Sequence, residues 1–171
     1  MRIIQFTIPI APMQKHESRS FAIKTASGKF STRQFKHKDQ SKYENQIMSA
    51  LIDHAPDVPL EGTILLGVKV FVPMPKYMLN SWKRDVAESG IIRPASKPDL
   101  SNYIKNIEDC MTKSGFWQDD DQVVEYITGT GKYYSIKPRW EVTLMERKLP
   151  RTKKEYESGE YDAVWNGMLA I

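Results

Sequence analysis

Residues 97–124, KPDLSNYIKNIEDCMTKSGFWQDDDQVV, have the pattern of one complete helix, a turn and the start of a strand. Apolar side chains recur in the helix at the i, i+3, i+4, i+7 and i+11 positions of a buried stripe: Leu100, Tyr103, Ile104, Ile107 and Met111. Gly115 suits the C-terminal cap, and three aspartates then precede an apolar strand. The stretch therefore predicts a helix at about residues 99–113, followed by an acidic turn.

The same periodicities extend outward from this helix. They predict strands at residues 2–9, 64–72, 122–134 and 139–146, and a second helix at 41–54. Residues 12–40 predict a long loop or a loose hairpin, and residues 74–97 predict another loop. The resulting order, β–α–β–α–β–β, predicts a single small α/β or α+β domain with helices packed on a mixed sheet. We expect this domain to cover residues 1–147 and a C-terminal extension to cover 148–171.

Composition excludes several classes of protein. The 171 residues are 40% hydrophobic and contain no apolar run as long as a membrane span, so an ordinary globular domain with no membrane contact is expected. The first residues alternate in polarity, unlike a signal peptide, which favours a cytoplasmic location. Cys110 is the only cysteine, so an intrachain disulfide and a cysteine-based zinc site are excluded.

Charge is unevenly distributed along the chain. Residues 11–42 contain eight basic and two acidic residues, and residues 76–97 contain five and two. Residues 99–125 reverse the balance, with two basic and seven acidic residues. A metal-dependent enzyme that acts on a polyanion needs this combination, because basic segments bind phosphates and carboxylates bind the metal. Solvated loops and helix faces are the alternative explanation.

The polar residues of the helix predicted at about residues 99–113 are expected to share one face. Asp99, Asn102, Lys105, Asn106 and Asp109 lie three or four residues apart, which would place them opposite the apolar stripe. Hard divalent cations prefer such oxygen ligands. Two structural alternatives remain open: Asp99 could simply cap the helix, and Lys105 with Asp109 could form a surface ion pair.

The aspartate run and the aromatic residues near it also allow two interpretations. Asp119, Asp120 and Asp121 could form a polar turn, but their mutual repulsion favours a bound divalent cation. Phe116 and Trp117 are expected to anchor this turn in the core. Between residues 76 and 97, Tyr77 and Trp82 alternate with basic residues, so they either contact nucleic acid or pack onto the domain.

The complete pattern resembles a known family. Lys-Pro-Asp-Leu-x-Asn-x-x-Lys, a helix with a further aspartate, and Gly-x-Trp-x-Asp-Asp-x-Gln-Val are similar to the motifs of the RusA family of Holliday-junction resolvases. The resemblance is strong over residues 97–124 and weaker at the first strand, Lys132 and 139–144. It implies a homodimeric endodeoxyribonuclease, often carried by prophages. Such an enzyme uses Mg²⁺ or Mn²⁺ to resolve four-way DNA junctions by paired symmetric nicks during DNA recombination and repair.

The resemblance also implies roles for single residues. Asp99 corresponds to the first catalytic aspartate, Lys105 to the essential lysine, and Asp120 to the aspartate that completes the metal site. Asp119 is the acidic neighbour, so Asp99, Asp119 and Asp120 are the expected metal ligands. Asp109 matches a further family acid. DNA contacts are expected from the basic residues Lys15, Arg19, Lys24, Arg33, Lys83, Arg84, Lys97 and Lys132.

One position departs from the family pattern. The family has a second aspartate two residues after the first, where this chain has Ser101. Serine is neutral and binds metals more weakly than a carboxylate. The site could work through Ser101 and a water, or recruit Asp121, Asp109 or Glu125 instead. It could also bind junctions with little or no cleavage. A small RNA- or protein-binding module, with aspartates that only cap helices and turns, is the remaining alternative.

Overall fold

The computed structural model describes residues 2–13, 19–24, 30–35, 38–150 and 152–159. Its strands, in chain order, are β1 (Arg2–Ile8), β2 (Arg19–Lys24), β3 (Phe30–Phe35), β4 (Thr63–Pro73), β5 (Val123–Tyr126), β6 (Gly131–Ser135) and β7 (Arg139–Arg147). Its α-helices are α1 (Lys38–Leu51), α2 (Lys76–Leu79), α3 (Lys83–Glu88), α4 (Leu100–Lys113) and α5 (Lys153–Ser158). Two short 3₁₀ helices lie at Ile52–His54 and Asp120–Gln122.

Strand β4 is the centre of the main sheet. Its alternating sequence puts four fully buried side chains on one face: Ile64, Leu66, Val68 and Val70. β7 pairs antiparallel with one edge of β4, and β1 pairs antiparallel with β7. Along the other edge, β5 and then β6 pair with β4 in parallel. The predicted mixed sheet is confirmed.

Helices α1 and α4 pack against each other and supply the buried side chains that cover this face of the sheet. Four of the five residues in the predicted α4 stripe are buried, and Leu100 packs at the edge of the same core. Phe116 and Trp117 are also buried, and the main-chain oxygen of Phe116 accepts a hydrogen bond from Leu60 N at 2.8 Å. The prediction that these two rings anchor the acidic turn in the core is therefore confirmed.

Three predicted boundaries were wrong. The helix predicted at 41–54 is α1, which begins at Lys38 and ends at Leu51. A 3₁₀ helix then continues to His54. The predicted strand 122–134 is two strands, because a turn closed by the Thr130 hydroxyl on Ile127 O interrupts it. Residues 74–97 contain α2 and α3 as well as loop, since Met74, Met78 and Ala87 form a small second core there.

The segment 12–40 contains the antiparallel pair β2–β3, which agrees with the predicted hairpin and not with a continuous loop. The observed architecture is a mixed α+β domain, as predicted. None of the helices in the described ranges is both long and apolar enough to cross a membrane.

Candidate active site

The acidic turn, defined here as residues 118–122, brings three carboxylates together. One oxygen of each of Asp119, Asp120 and Asp121 lies within 4.8 Å of the others, and all three residues are exposed. The turn forms because Asp119 Oδ1 accepts a hydrogen bond from Asp121 N at 3.2 Å, which caps the 3₁₀ helix. The turn therefore brings together carboxylate oxygens, which are the ligands that a hard divalent cation prefers.

Gln122 fastens the acidic turn to the sheet. Its Oε1 accepts hydrogen bonds from Gln118 N at 2.9 Å and Asp119 N at 3.3 Å. Its Nε2 donates to Leu60 O at 2.8 Å and Gly62 O at 3.1 Å, directly before β4. One neutral side chain therefore fixes the turn against the start of the central strand. Sequence reasoning did not assign this role to Gln122, because both carbonyl partners lie some sixty residues earlier in the chain.

The three carboxylates are electrostatically crowded. A hydrogen bond with Asp119 and the negative charges of Asp119 and Asp121 raise the pKa of Asp120. The pKa of Asp119 is lowered, first by the hydrogen bond from Asp121 N and then by its bond with Asp120. A divalent cation would relieve this repulsion, and an all-oxygen ligand set suits Mg²⁺ or Mn²⁺. The residues present therefore fit the metal that the sequence predicted.

A buried acid, Glu108, lies beside this cluster and was missed from the sequence. Its Oε1 accepts a hydrogen bond from the Tyr126 hydroxyl at 2.9 Å. Burial raises the pKa of Glu108, and the charges of Asp120 and Asp109 add to the increase. Burial and the bond to Glu108 likewise raise the pKa of Tyr126 to about 12. The signal in the sequence was the helical position, because Glu108 lies four residues after Ile104 in the apolar stripe.

Asp99 lies at the other end of α4. It occupies the N-cap position, where its side chain makes no capping hydrogen bond, and it is exposed. The structure thus does not give Asp99 the capping role that was its structural alternative. Glu108, which neighbours the acidic turn, lies nine residues further along the helix, or about 14 Å along its axis. Asp99 is accordingly absent from the cluster formed by Asp119, Asp120 and Asp121.

The sheet also keeps apart the points at which the two loops are attached. Lys132, which pairs with Val70 of β4, donates hydrogen bonds to Ser96 O at 2.7 Å and Pro98 O at 2.8 Å. The loop that leads to Asp99 is therefore attached near the end of β4, whereas Gln122 is attached before its start. Val70 and Gly62 are eight residues apart, which corresponds to roughly 25 Å along an extended strand.

The other polar residues of α4 divide between two faces. Asn102 and Lys105 are exposed as predicted, together with Ser101, and Asp109 is half-buried. The placement of Asn106 on this face was wrong. Asn106 is buried, and it donates to Met13 O at 2.8 Å. Its helical position, directly before Ile107, turns it toward α1 instead of solvent.

The predicted DNA-contacting residues lie on several elements. Arg19 and Lys24 are on β2, Arg33 is on β3, Lys83 and Arg84 are on α3, Lys97 is in the loop before α4, and Lys132 is on β6. Lys15 lies outside the described residues. Lys97 and Arg84 are exposed, whereas the Lys132 ammonium binds the two carbonyls of the 96–98 loop. DNA contact remains a prediction for all of them.

A carboxylate cluster suited to a divalent cation, in a chain with exposed basic residues, is the combination found in metal-dependent nucleases. Residues 9–145 match the family described as Endodeoxyribonuclease RusA. This match covers most of the chain, so the chain belongs to the RusA endodeoxyribonuclease family, whose members resolve Holliday junctions.

A relative in Bacillus subtilis (strain 168) bears the name "Uncharacterized protein YqaN". The two sequences are 38% identical over 109 residues, which are 63% of this chain and 75% of that protein. The family match confirms the resemblance that residues 97–124 carried.

Proposed function

We propose that this chain is a divalent-metal-dependent endodeoxyribonuclease that resolves four-way DNA junctions as a homodimer with two shared active sites. The separation of Asp99 from the acidic turn carries the proposal. Ligands of one cation lie within about 2–3 Å of it. Within one chain, most of the length of α4 separates Asp99 from Asp120. These two carboxylates therefore cannot both bind the same cation.

A two-fold dimer resolves this difficulty. In an isologous contact, two different positions of the chain meet across the interface. Because the partner presents the same surface, the reverse pair of positions also meets. Two copies of α4 in antiparallel orientation would place Asp99 of each chain beside the acidic turn of the other. The dimer would then have two equivalent sites, which matches the approximate two-fold symmetry of a four-way junction and the need for paired nicks.

Each residue has a distinct task in this site. Asp119, Asp120 and the partner's Asp99 would hold the cation, which when bound stabilises negative charge on the scissile phosphodiester. Lys105 is exposed on α4 between Asp99 and Glu108, so it can neutralise charge that develops on the phosphate or the leaving oxygen. Gln122 keeps the carboxylates in place without offsetting their charge, and exposed basic residues such as Lys97 and Arg84 would contact DNA.

Mixing two inactive variants tests the shared site. We expect Asp99→Asn and Asp120→Asn each to abolish nicking of a labelled four-way junction in Mg²⁺ or Mn²⁺ while retaining junction binding. In a dimer that contains one chain of each variant, one shared site is intact and the other has both substitutions. Random pairing should therefore restore about one quarter of wild-type sites, seen as single nicks on a denaturing gel.

The alternatives give different results. If each site lay within one chain, the mixture would stay inactive although wild-type protein cuts. A wild-type protein that binds junctions tightly but nicks them in neither metal would favour a junction-binding protein with a weakened site at Ser101. Restored nicking in Ser101→Asp would then support that interpretation. Linear duplex and EDTA lanes are the controls in each case.

A further inference from the structure

The corner between α2 and α3 exposes two large aromatic rings. Tyr77 is 67% exposed and Trp82 is 71% exposed. Trp117 and Trp140, elsewhere in the described residues, are 1% and 0% exposed. Because an indole ring loses favourable burial when it faces water, Trp82 does not contribute to the fold as those two rings do.

The backbone beneath these rings is firmly attached. Met78 and Ala87 are buried in the second core, which fixes α2 against α3. At the end of α3, the Glu88 carboxylate accepts hydrogen bonds from Ile136 N at 2.7 Å and Ser135 Oγ at 3.3 Å. The corner is therefore held to the end of β6, the strand whose Lys132 holds the loop before Asp99. The rings are therefore presented on a support that is attached to the same strand as the loop before Asp99.

Positive charge lies between the two rings. Lys83 Nζ is 5.8 Å from the Tyr77 ring centroid and 5.9 Å from the Trp82 ring centroid. These distances are close to the outer limit of a cation–π contact, so the ammonium is held loosely and can turn to an anion. Arg84, the next residue, is exposed. Aromatic faces with a cation between them are suited to a nucleic-acid strand, because bases stack on the rings and the phosphate binds the cation.

We infer that Tyr77 and Trp82 stack against unpaired or unstacked bases at the crossover of a branched DNA, with Lys83 on an adjacent phosphate. The inference rests on the proposed function. Bases inside a continuous duplex are covered on both faces by their neighbours, so they offer no free surface to a ring. A branch point interrupts this stacking, and the corner would favour branched DNA over linear duplex for that reason. This assigns structure selectivity to the aromatic corner and not to the metal site.

Binding measurements on junction and duplex test the inference. The probe is a four-way junction with 2-aminopurine at the crossover, compared with a linear duplex of the same sequence, both in EDTA. Trp82→Ala should lower junction affinity about five- to tenfold and reduce the fluorescence change, while duplex affinity stays within about twofold. Trp82→Phe should retain most of the affinity, since it keeps an aromatic face. Tyr156→Ala, at a 62% exposed ring on α5, is the matched control and should change neither.

Salt dependence separates stacking from phosphate contact. The slope of log affinity against log salt concentration should stay unchanged in Trp82→Ala. In Lys83→Gln its magnitude should fall by about one. Equal losses on junction and duplex in Trp82→Ala, or a result indistinguishable from Tyr156→Ala, would overturn the inference while wild-type nicking of junctions keeps the proposed function. A wild-type protein that neither nicks nor prefers junctions would overturn both.

Discussion

Two loops, one beside each end of β4, are each held by one long polar side chain that donates to two carbonyls. At the start of β4, the Gln122 amide binds Leu60 O and Gly62 O and fixes the acidic turn. Beyond Val70, the Lys132 ammonium binds the carbonyls of the 96–98 loop. The geometry is the same, but one side chain is neutral and the other is charged.

The difference in charge between Gln122 and Lys132 matters for the ligands that each loop can bind. A neutral amide orders three aspartates without compensating their charge, so the attraction for a cation is preserved. Lys132, in contrast, directs its ammonium at backbone carbonyls, so its position supports the loop before Asp99. The number of basic residues in a segment therefore overstates the number of side chains that are available to phosphates.

Removing the neutral support should have the largest effect. Gln122→Ala deletes four hydrogen bonds of the acidic turn, so the carboxylates should lose their common orientation. We expect Mg²⁺-dependent nicking to fall about 10- to 100-fold, with a higher Mg²⁺ requirement, as measured by a metal titration of junction cleavage. Gln118→Ala is the control, because the hydrogen bond at that position uses the backbone N–H. Equal activity in the two variants would show that the turn orders itself.

Removing the charged support should have a smaller effect. Lys132→Met loosens the loop before Asp99 without touching the acidic turn, and we expect nicking to fall about tenfold. Because the ammonium already donates to two carbonyls, we expect the salt slope of junction binding not to change. Lys69→Met, at an exposed lysine on β4, controls for the loss of one charge. A slope reduced by about one in Lys132→Met alone would instead make Lys132 a DNA contact.

These two supports also mark the limit of what could be predicted from the sequence. The α4 stripe, the alternation in β4 and the anchors Phe116 and Trp117 were predictable, because local spacing encodes them. The partners of Gln122 and Lys132 are carbonyls 34 to 62 residues away, and every residue has a carbonyl. The family motif named Asp99 and Asp120 as one site, but the spacing along α4 and along β4 keeps them apart within one chain.

The smallest expected effect concerns the buried acid beside the acidic turn. Burial raises the pKa of Glu108, so as pH increases the unfolded chain ionises first and the folded state loses stability until the raised pKa is passed. Glu108→Gln removes this penalty and keeps an oxygen for the Tyr126 hydroxyl. In EDTA at pH 7 we expect a thermal midpoint about 2–4 °C higher than wild type.

This gain should shrink toward zero near pH 4, where wild-type Glu108 is mostly protonated in both states. Thermal melts across that pH range provide the measurement. Glu125→Gln, at an exposed acid on β5, is the control and should change the midpoint little. A gain of equal size at both pH values would mean that packing and not ionisation is responsible.

A helix that keeps Asp99 away from the acidic turn also has a consequence for how activity depends on protein concentration. Under the proposed function, a single chain is an inert half of a nuclease, and cutting requires an encounter between two copies. At low abundance the rate would rise with the square of the chain concentration, so a few stray molecules would leave chromosomal DNA untouched. Because the length of α4 makes dimerisation necessary, cutting of branched DNA would begin only when the protein has accumulated to a sufficient concentration.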